Sequence, residues 1–387
     1  MSRLADLINE LCPDGVEYKP LGEVAELKRG SGMPKKMFTD AGIPAIHYGH
    51  IYTKYGIYTK VAAAYVDKAN SQKLTLVYPG DLVVANTSEN LEDVGKAVTW
   101  LGESVAVTGG HATVVRSSVM NTVFLSYYFR TEEFSRKKQR YSRGTKVIEL
   151  SAVNLAKILI PVPPLEVQCE IVRILDQFTT LEAELEAELE ARRAQYEYYR
   201  EQLLSYDSIV EHCSDEVKYR SLGDLIRIRN GRDYKMLSSG TVPVYGSGGV
   251  MTHVSEAIGV GPTVLIPRKG SLDNIFFVEG PFWTVDTIFY TEIGSEIEPK
   301  YLYYNLKKMR LSQMNEAAGV PSMNQRKLNR IQILLPSIEE QRRIADVLDR
   351  FDALVNDISS GLPAEIAARR AQYEYYRDRL LSFPEKK

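Results

Sequence analysis

Two long stretches of the chain place apolar side chains at steps of three and four residues in near alternation. From Ile171 one seam runs through Ile174, Phe178, Leu181, Leu185 and Leu189 to Tyr196, Tyr199 and Leu203, with Arg192 in one core slot. From Ile344 a second runs through Val347, Phe351, Leu354, Ile358, Leu362 and Ile366 to Tyr373, Tyr376 and Leu380. That spacing predicts helices packed along a coiled-coil seam. The second stretch is four residues longer, an insertion that locally unwinds a supercoil. Gly361 and Pro363 fall at the insertion, so a break with restart at Pro363 is expected, proline being favoured in a first helical turn. At about 1.5 Å per residue, a helix from Leu165 of roughly 42 residues spans roughly 60 Å, the length of a spacer.

Before each helix the pattern changes. Short apolar runs alternate with Gly, Pro, Asn and Asp: Ile43–Ile46, Leu74–Val77, Asp81–Val84, Ser104–Val107 and Thr113–Val115 in the first half. Val242–Tyr245, Thr263–Ile266, Asn274–Val278 and Thr284–Tyr290 answer them in the second. Such runs predict β-rich domains. Helix-like sequence follows in each half, at Phe124–Arg130 and Tyr301–Lys307, and a last strand, Ile158–Val162 or Ile331–Leu335, ends at prolines.

The two halves are a repeat. Ala-Arg-Arg-Ala-Gln-Tyr-Glu-Tyr-Tyr-Arg stands at Ala191–Arg200 and again, 177 residues later, at Ala368–Arg377. Val16–Gly30 answers Val217–Gly231, each glycine read as a turn, and Cys12 and Cys213 keep the same offset. The period is too long for a solenoid and reads as a duplicated domain plus helix. The expected fold class is therefore α+β, a mixed α/β chain. Two tandem β-rich domains are separated by two long helices that form an antiparallel coiled coil, and the halves are related by a pseudo-twofold internal repeat. A seam joining two chains is the alternative; in-chain pairing fits better because it places the duplicated domains symmetrically. The expected boundaries are residues 1–163, 164–206, 207–336 and 337–387.

Composition adds one thing. The whole chain carries a net charge of −2, but residues 19–163 carry 19 basic and 12 acidic side chains, and residues 164–212 carry 4 and 12. Residues 213–336 are again basic, 15 against 12. Local basic patches are what a polyanion senses, because charge acts within a Debye length of about 8–10 Å. Three scattered cysteines suit a reducing cytoplasm, and no apolar run is long enough for a membrane span.

Candidate chemistry is sparse. Asp14, Glu17 and Lys19 mimic a nuclease pattern, but they crowd into one short turn and the second half lacks them. His47 and His50 lie in a strand-like setting that spoils metal-ligand spacing, so they read as polar residues of a recognition loop. Gly246-Ser-Gly-Gly249 lacks the Lys-Ser/Thr of a phosphate loop, and no Asn/Asp-Pro-Pro-Phe/Tyr methyltransferase motif occurs. What remains is basic, polar and aromatic. Candidate phosphate contacts are Lys28, Arg29, Lys35, Lys36, Arg140, Arg143, Thr145, Lys146, Arg229, Arg232, Lys235, Arg268, Lys269 and Arg326. Asn86, Thr87, Ser88, Asn230 and Asn274 could read base edges, and His47, Tyr48, Tyr245 and Ser247 complete the candidate DNA contacts.

The twin Ala-Arg-Arg-Ala-Gln-Tyr-Glu-Tyr-Tyr-Arg helices, the helix starts Pro-Pro-Leu-Glu-Val-Gln168 and Pro-Ser-Ile-Glu-Glu-Gln341, and the repeated Leu-Gly-Glu/Asp openings resemble the specificity subunits of type I restriction-modification enzymes. Val242–Gly249 with Leu265–Gly270 is similar to one version of that family's recognition domain. The resemblance implies two target-recognition domains, each reading half of an interrupted double-stranded DNA site, with the helices setting the gap. It implies as partners two methyltransferase subunits holding S-adenosylmethionine and two motor-nuclease subunits using ATP and magnesium. This chain would itself be non-catalytic, hold no cofactor or metal and touch no membrane. The rival reading is an adaptor whose β domains bind a sugar or peptide.

Overall fold

The computed structural model describes residues 3–212, 217–315, 319–357 and 359–386. Cys213 of the repeat and Ile358 of the second seam lie outside them. Contacts divide the chain into two units, residues 1–184 with 367–387, and residues 185–366.

In the first unit the strand Leu82–Ala85 is buried on both faces. Its alternation decides what each face meets. Leu82 and Val84 pack with Phe124, Tyr127 and Tyr128 of a helix Thr122–Tyr128 and with Val167, Ile171 and Leu175 of the long helix. Val83 and Ala85 pack the other way, with Ile46, Val77 and Ala106. The strand is therefore central in a sheet ordered Glu26–Arg29, Ala112–Arg116, Leu82–Ala85, Ala97–Trp100, Tyr58–Thr59. A second five-stranded sheet is ordered Phe38–Thr39, Tyr65–Val66, Ile43–Ile46, Ala106–Thr108, Thr75–Val77.

The second unit repeats this on a smaller scale. Ile226–Asn230, Ile288–Ile293, Thr263–Pro267 and Phe276–Val278 form one sheet, and Gly249–Val254, Ser239–Gly246, Pro281–Thr284 and Gly259–Val260 the other. Val264 and Ile266 face the helix Pro299–Lys308, and Leu265 faces the second sheet. The run Thr284–Tyr290, expected as one strand, is two strands joined through Val285–Thr287.

Repeated side chains tie each domain to the helix that follows it. Gln168 is buried; its amide nitrogen donates to the Pro163 carbonyl at 2.7 Å, and its oxygen accepts from the Asn121 amide at 2.7 Å. Gln341 does the same with the Pro336 carbonyl at 2.9 Å and the Glu298 amide at 2.8 Å. The Tyr127 hydroxyl donates to Asp176 at 2.7 Å, and that of Tyr304 to Asp349 at 2.6 Å. These duties explain the shared helix-start motif.

The long helix runs Leu165–Leu203 without interruption, and the C-terminal segment breaks into Ile338–Asn356 and Leu362–Leu380, as the insertion predicts. In the first unit Phe178 stacks on Tyr376 at 5.6 Å and Arg370 pairs with Glu182 at 2.7 Å. Residue numbers rise along one helix as they fall along the other, so the pairing is antiparallel. In the second unit Tyr199 stacks on Phe351 at 5.4 Å. Arg192 departs from its expected core slot: it is exposed and pairs with Glu188 at 3.4 Å, because a guanidinium is satisfied more cheaply along the helix surface. No helix among the described residues is long and apolar enough to cross a membrane.

Candidate nucleic-acid interface

One hydrogen-bond frame is built twice. In the first domain the Gly30 amide donates to the Ala112 carbonyl at 2.8 Å, Asn86 to His111 at 2.8 Å and Leu150 to Asn86 at 2.8 Å. In the second, Gly231 donates to Ile288 at 3.1 Å, Arg268 to Thr287 at 2.8 Å and Met323 to Arg268 at 2.9 Å. Ladder registers agree: Ala112 faces Ala85 as Ile288 faces Pro267, and Thr108 faces Ile46 as Thr284 faces Tyr245. The frame pairs Asn86 with Arg268, Thr87 with Lys269, His111 with Thr287 and Tyr48 with Ser247. Its glycines are close approaches, not the turns expected: a Cβ on Gly30 would lie 1.9 Å from the Gly109 oxygen, and one on Gly231 2.1 Å from that of Val285.

In the first domain the frame carries rings. Tyr48 opens a short helix, Tyr48–Thr53, whose N-cap is His47; the expected loop is this helix because the His47 ring accepts from the Gly49 amide at 3.1 Å. His47 is buried rather than at the surface, and burial, then the neighbouring His50 and Lys35, push its pKa down to about 4. His111 is exposed, lies 5.0 Å from the Tyr48 ring, and its Nδ1 is 3.0 Å from the Thr87 hydroxyl. Asn86 points inward, fully buried, its oxygen accepting from Thr113 at 2.9 Å, so its side chain is not presented at the surface. Thr87 and Ser88 pair with Glu149 and Ile148, and Glu149 holds Arg29 at 2.9 Å and bridges to Arg143. Tyr48, Tyr52, Thr87, Ser88 and Val147 line a cleft of about 340 Å³ here, with exposed Thr145 and Lys146 on the adjoining turn.

The second domain carries smaller side chains and cations on the same frame. Ser247, Asp286 and Thr287 line a wider cleft of about 760 Å³ with Asp233, Tyr234 and Lys235. Asn274 donates to the Ser247 carbonyl at 2.9 Å, and Tyr245 packs on Phe276 at 5.7 Å. Arg268 is half-buried with its guanidinium 5.8 Å from the Phe289 ring, the counterpart of the Asn86–Thr113 contact. Lys269 is exposed, bridges through its backbone to Ser322, and has no ion-pair partner among the described residues. Asn230 accepts from Gln325 at 3.2 Å, next to Arg326, and Arg232 accepts from the Trp283 indole at 2.9 Å through its carbonyl. Arg229 is tied to Glu292 at 3.0 Å.

The structure thus gathers Arg29, Tyr48, Thr87, Ser88, Arg143, Thr145 and Lys146 at one end of the first domain. At the matching end of the second it gathers Asn230, Arg232, Lys235, Tyr245, Ser247, Arg268, Lys269, Asn274 and Arg326. Lys28, Lys36 and Arg140 are exposed, and among the described residues only Arg140 is tied to a cluster, its carbonyl accepting from the Arg143 guanidinium at 2.9 Å; Lys35 is exposed near His47. The basic run at 136–140 is a helix, and Lys138 in it is buried. Its ammonium donates to the Glu92 and Val94 carbonyls at 2.7 Å, and burial lowers its pKa to about 8. His111, Tyr52, Glu149 and Gln325 escaped sequence reasoning. His111 and Glu149 stand opposite residues of another type in the second half, Thr287 and Ser322, so sequence identity between the halves does not mark them. Among the described residues no group of histidine, cysteine and carboxylate side chains is arranged to hold a metal.

The profile of the type I restriction modification DNA specificity domain matches the chain twice, over residues 13–191 and 214–368. The chain belongs to that family. The specificity subunit of the type I restriction enzyme EcoprrI from Escherichia coli is a relative of this specificity-domain chain. It is 30% identical over 398 residues, 93% of this chain and 93% of the relative. The EcoR124I/EcoR124II specificity subunit from Escherichia coli is 37% identical over 273 residues, covering 61% of this chain and 65% of the relative. In structure the chain is similar to a type I restriction-modification S subunit from M. genitalium, with TM-score 0.57, 16% identity and coverage of 95% and 96%. That likeness shows a shared specificity-subunit fold.

Proposed function

We propose that this chain is the DNA-reading specificity subunit of a type I restriction-modification complex. Two target-recognition domains, within residues 1–163 and 207–336, each engage one half of a bipartite double-stranded site. Helical segments 164–206 and 337–387 set the gap. The observation that carries this reading is the frame built twice with different side chains at its tip. A reader of an asymmetric site needs two chemistries on one scaffold, a divergence that a two-domain adaptor for a single non-DNA ligand does not call for. The tips also present what DNA recognition requires, side-chain donors and acceptors flanked by Arg29, Arg143, Lys146, Arg232, Lys235 and Arg326 for phosphates.

In this reading the chain contributes specificity and no bond-making. Two methyltransferase subunits supply S-adenosylmethionine, and two translocating nuclease subunits supply ATP and magnesium. Methylated adenine mapped across a genome, with and without this chain beside its methyltransferase partner, tests the reading. A two-part motif with a fixed gap, appearing only with the chain, is the expected result. Absence of any chain-dependent motif, together with DNA affinity insensitive to salt, would favour the non-DNA adaptor, because each neutralised phosphate must steepen the salt dependence.

A further inference from the structure

The two tips differ in an ordered way. At the position after Asn86 the first domain has Thr87, and across the frame it has His111. The equivalent positions in the second domain are Lys269 and Thr287. Each notch therefore holds one threonine and one long donor-bearing side chain, with the two roles exchanged between the flanking loops. In the first notch Thr87 lies beneath, 8% exposed, and its hydroxyl at 3.0 Å from Nδ1 fixes the His111 ring, leaving Nε2 turned away from that contact. Tyr48 backs the ring at 5.0 Å. In the second, Lys269 rises from the outgoing loop where Thr87 stands in the first. The place of Tyr48 is taken by Ser247 and that of His111 by Thr287, two smaller side chains that line an open cleft beside it.

Several cations elsewhere in the two domains are already engaged, although Arg232 and Arg326, like Lys269, have no ion pair among the described residues. Arg29 and Arg229 are held by Glu149 and Glu292, and Lys138 and Lys308 are spent on backbone carbonyls. Among the described residues Lys269 makes no ion pair with a carboxylate, at a position where the other domain has a neutral group. A phosphate contact common to both half-sites would call for the same charge at the same position in both domains. Chemistry that differs within a fixed frame is what sequence discrimination requires.

We infer that His111 and Lys269 are specificity-determining residues, each reading one base pair in a different half-site from a notch shared by the two domains. Lys269, a pure donor, suits the paired acceptors O6 and N7 of guanine in the major groove. His111, oriented by Thr87, offers a single ring nitrogen to a base edge in the other half-site. Thr87 is a positioning residue in this scheme. The inference rests on the DNA-reading function proposed above.

The test is genome-wide mapping of methylated adenine with the full chain and its methyltransferase partner, for wild type, Lys269→Thr, Lys269→Arg and His111→Thr. The wild-type map is read first. If it contains no chain-dependent motif, the function itself fails, and this inference with it. Given a wild-type motif, Lys269→Thr is expected to relax one guanine-containing position by roughly tenfold or more, leaving the other half-site unchanged. Lys269→Arg is expected to keep the guanine. His111→Thr relaxes one position in the opposite half-site, and the untouched half-site in each map shows that the chain is folded. Two results overturn the inference while leaving the function standing. One is an unchanged motif at unchanged stringency. The other is equal weakening at every sequence with a shallower salt dependence, the mark of a phosphate contact. Loss of all marking in both Lys269 variants also overturns it.

Discussion

The two recognition domains share a skeleton and diverge at its tip. Below the tip their residues correspond one for one: Gly30 and Gly231 pressed on a carbonyl, Gln168 and Gln341 on a proline carbonyl, Tyr127 and Tyr304 on an aspartate. At the tip the first domain has buried His47, inward Asn86 and exposed His111, and the second has Gly246, Arg268 and Thr287. The skeleton positions the loops, and the loops differ in what they bury as well as in what they expose: Ile51, with Tyr48 and Tyr52 packed beside it, joins a core cluster in the first domain. A duplicated scaffold can therefore acquire two recognition chemistries without refolding.

The comparison can be broken most forcefully at the glycines. Gly30→Ala and Gly231→Ala should each destabilise their own unit by about 3 kcal/mol, since the added methyl meets backbone that cannot rotate away. The two tryptophans report this separately: Trp100 lies in the first unit and Trp283 in the second, so Trp283→Phe leaves a probe of the first alone. Urea unfolding followed by that fluorescence should show equal losses. Unequal losses would show that the frames are not equivalent.

The next effect is smaller and unequal. Asp349 accepts from Tyr304 and also pairs with the Lys300 ammonium, whereas among the described residues the Asp176 carboxylate accepts from Tyr127 alone, which has the Thr179 hydroxyl at 3.4 Å as a second partner. Asp349→Ala should cost about 2 kcal/mol and Asp176→Ala about 1 kcal/mol, because the first strands more unpaired polar groups. The same two-probe denaturation resolves the difference.

The last effect belongs to one unit. His47 has its pKa depressed to about 4 by burial, so between pH 6.5 and 4 the unfolded chain takes up a proton that the folded first unit resists. Stability is held above pH 6.5 and lost as pH falls toward 4, by on the order of 1 kcal/mol per pH unit. His47→Asn, which keeps an N-cap acceptor, should flatten this slope for the Trp100 signal and leave the Trp283 signal unchanged. A slope that survives the substitution would mean another group is responsible.

Much of the skeleton was legible because it is periodic or repeated. Alternation marked Ile43–Ile46 and Thr263–Ile266 as strands, the three-four spacing marked the helices, and the four-residue insertion marked the break before Leu362. The tip was less legible for the same reason. Repetition exposes positions with one duty in both halves, and the counterparts of His111 and Glu149, Thr287 and Ser322, are of a different type. Burial also rearranged the cations: Lys138 reads as surface charge in a basic run, yet it is folded inward onto two carbonyls. Only the packing of the helix Glu132–Tyr141 decides that.

One feature of the first unit bears on the order of events during synthesis. Its core includes Leu381 and Phe383, and the Tyr18 hydroxyl donates to the Phe383 carbonyl at 3.2 Å, while Val16 bridges to Glu385. The second unit is one uninterrupted stretch, residues 185–366. At about 5–20 residues per second, translation of that stretch takes roughly 10–40 s. For that interval the first domain has emerged without its closing segment, and the domain that begins first on the ribosome is completed last.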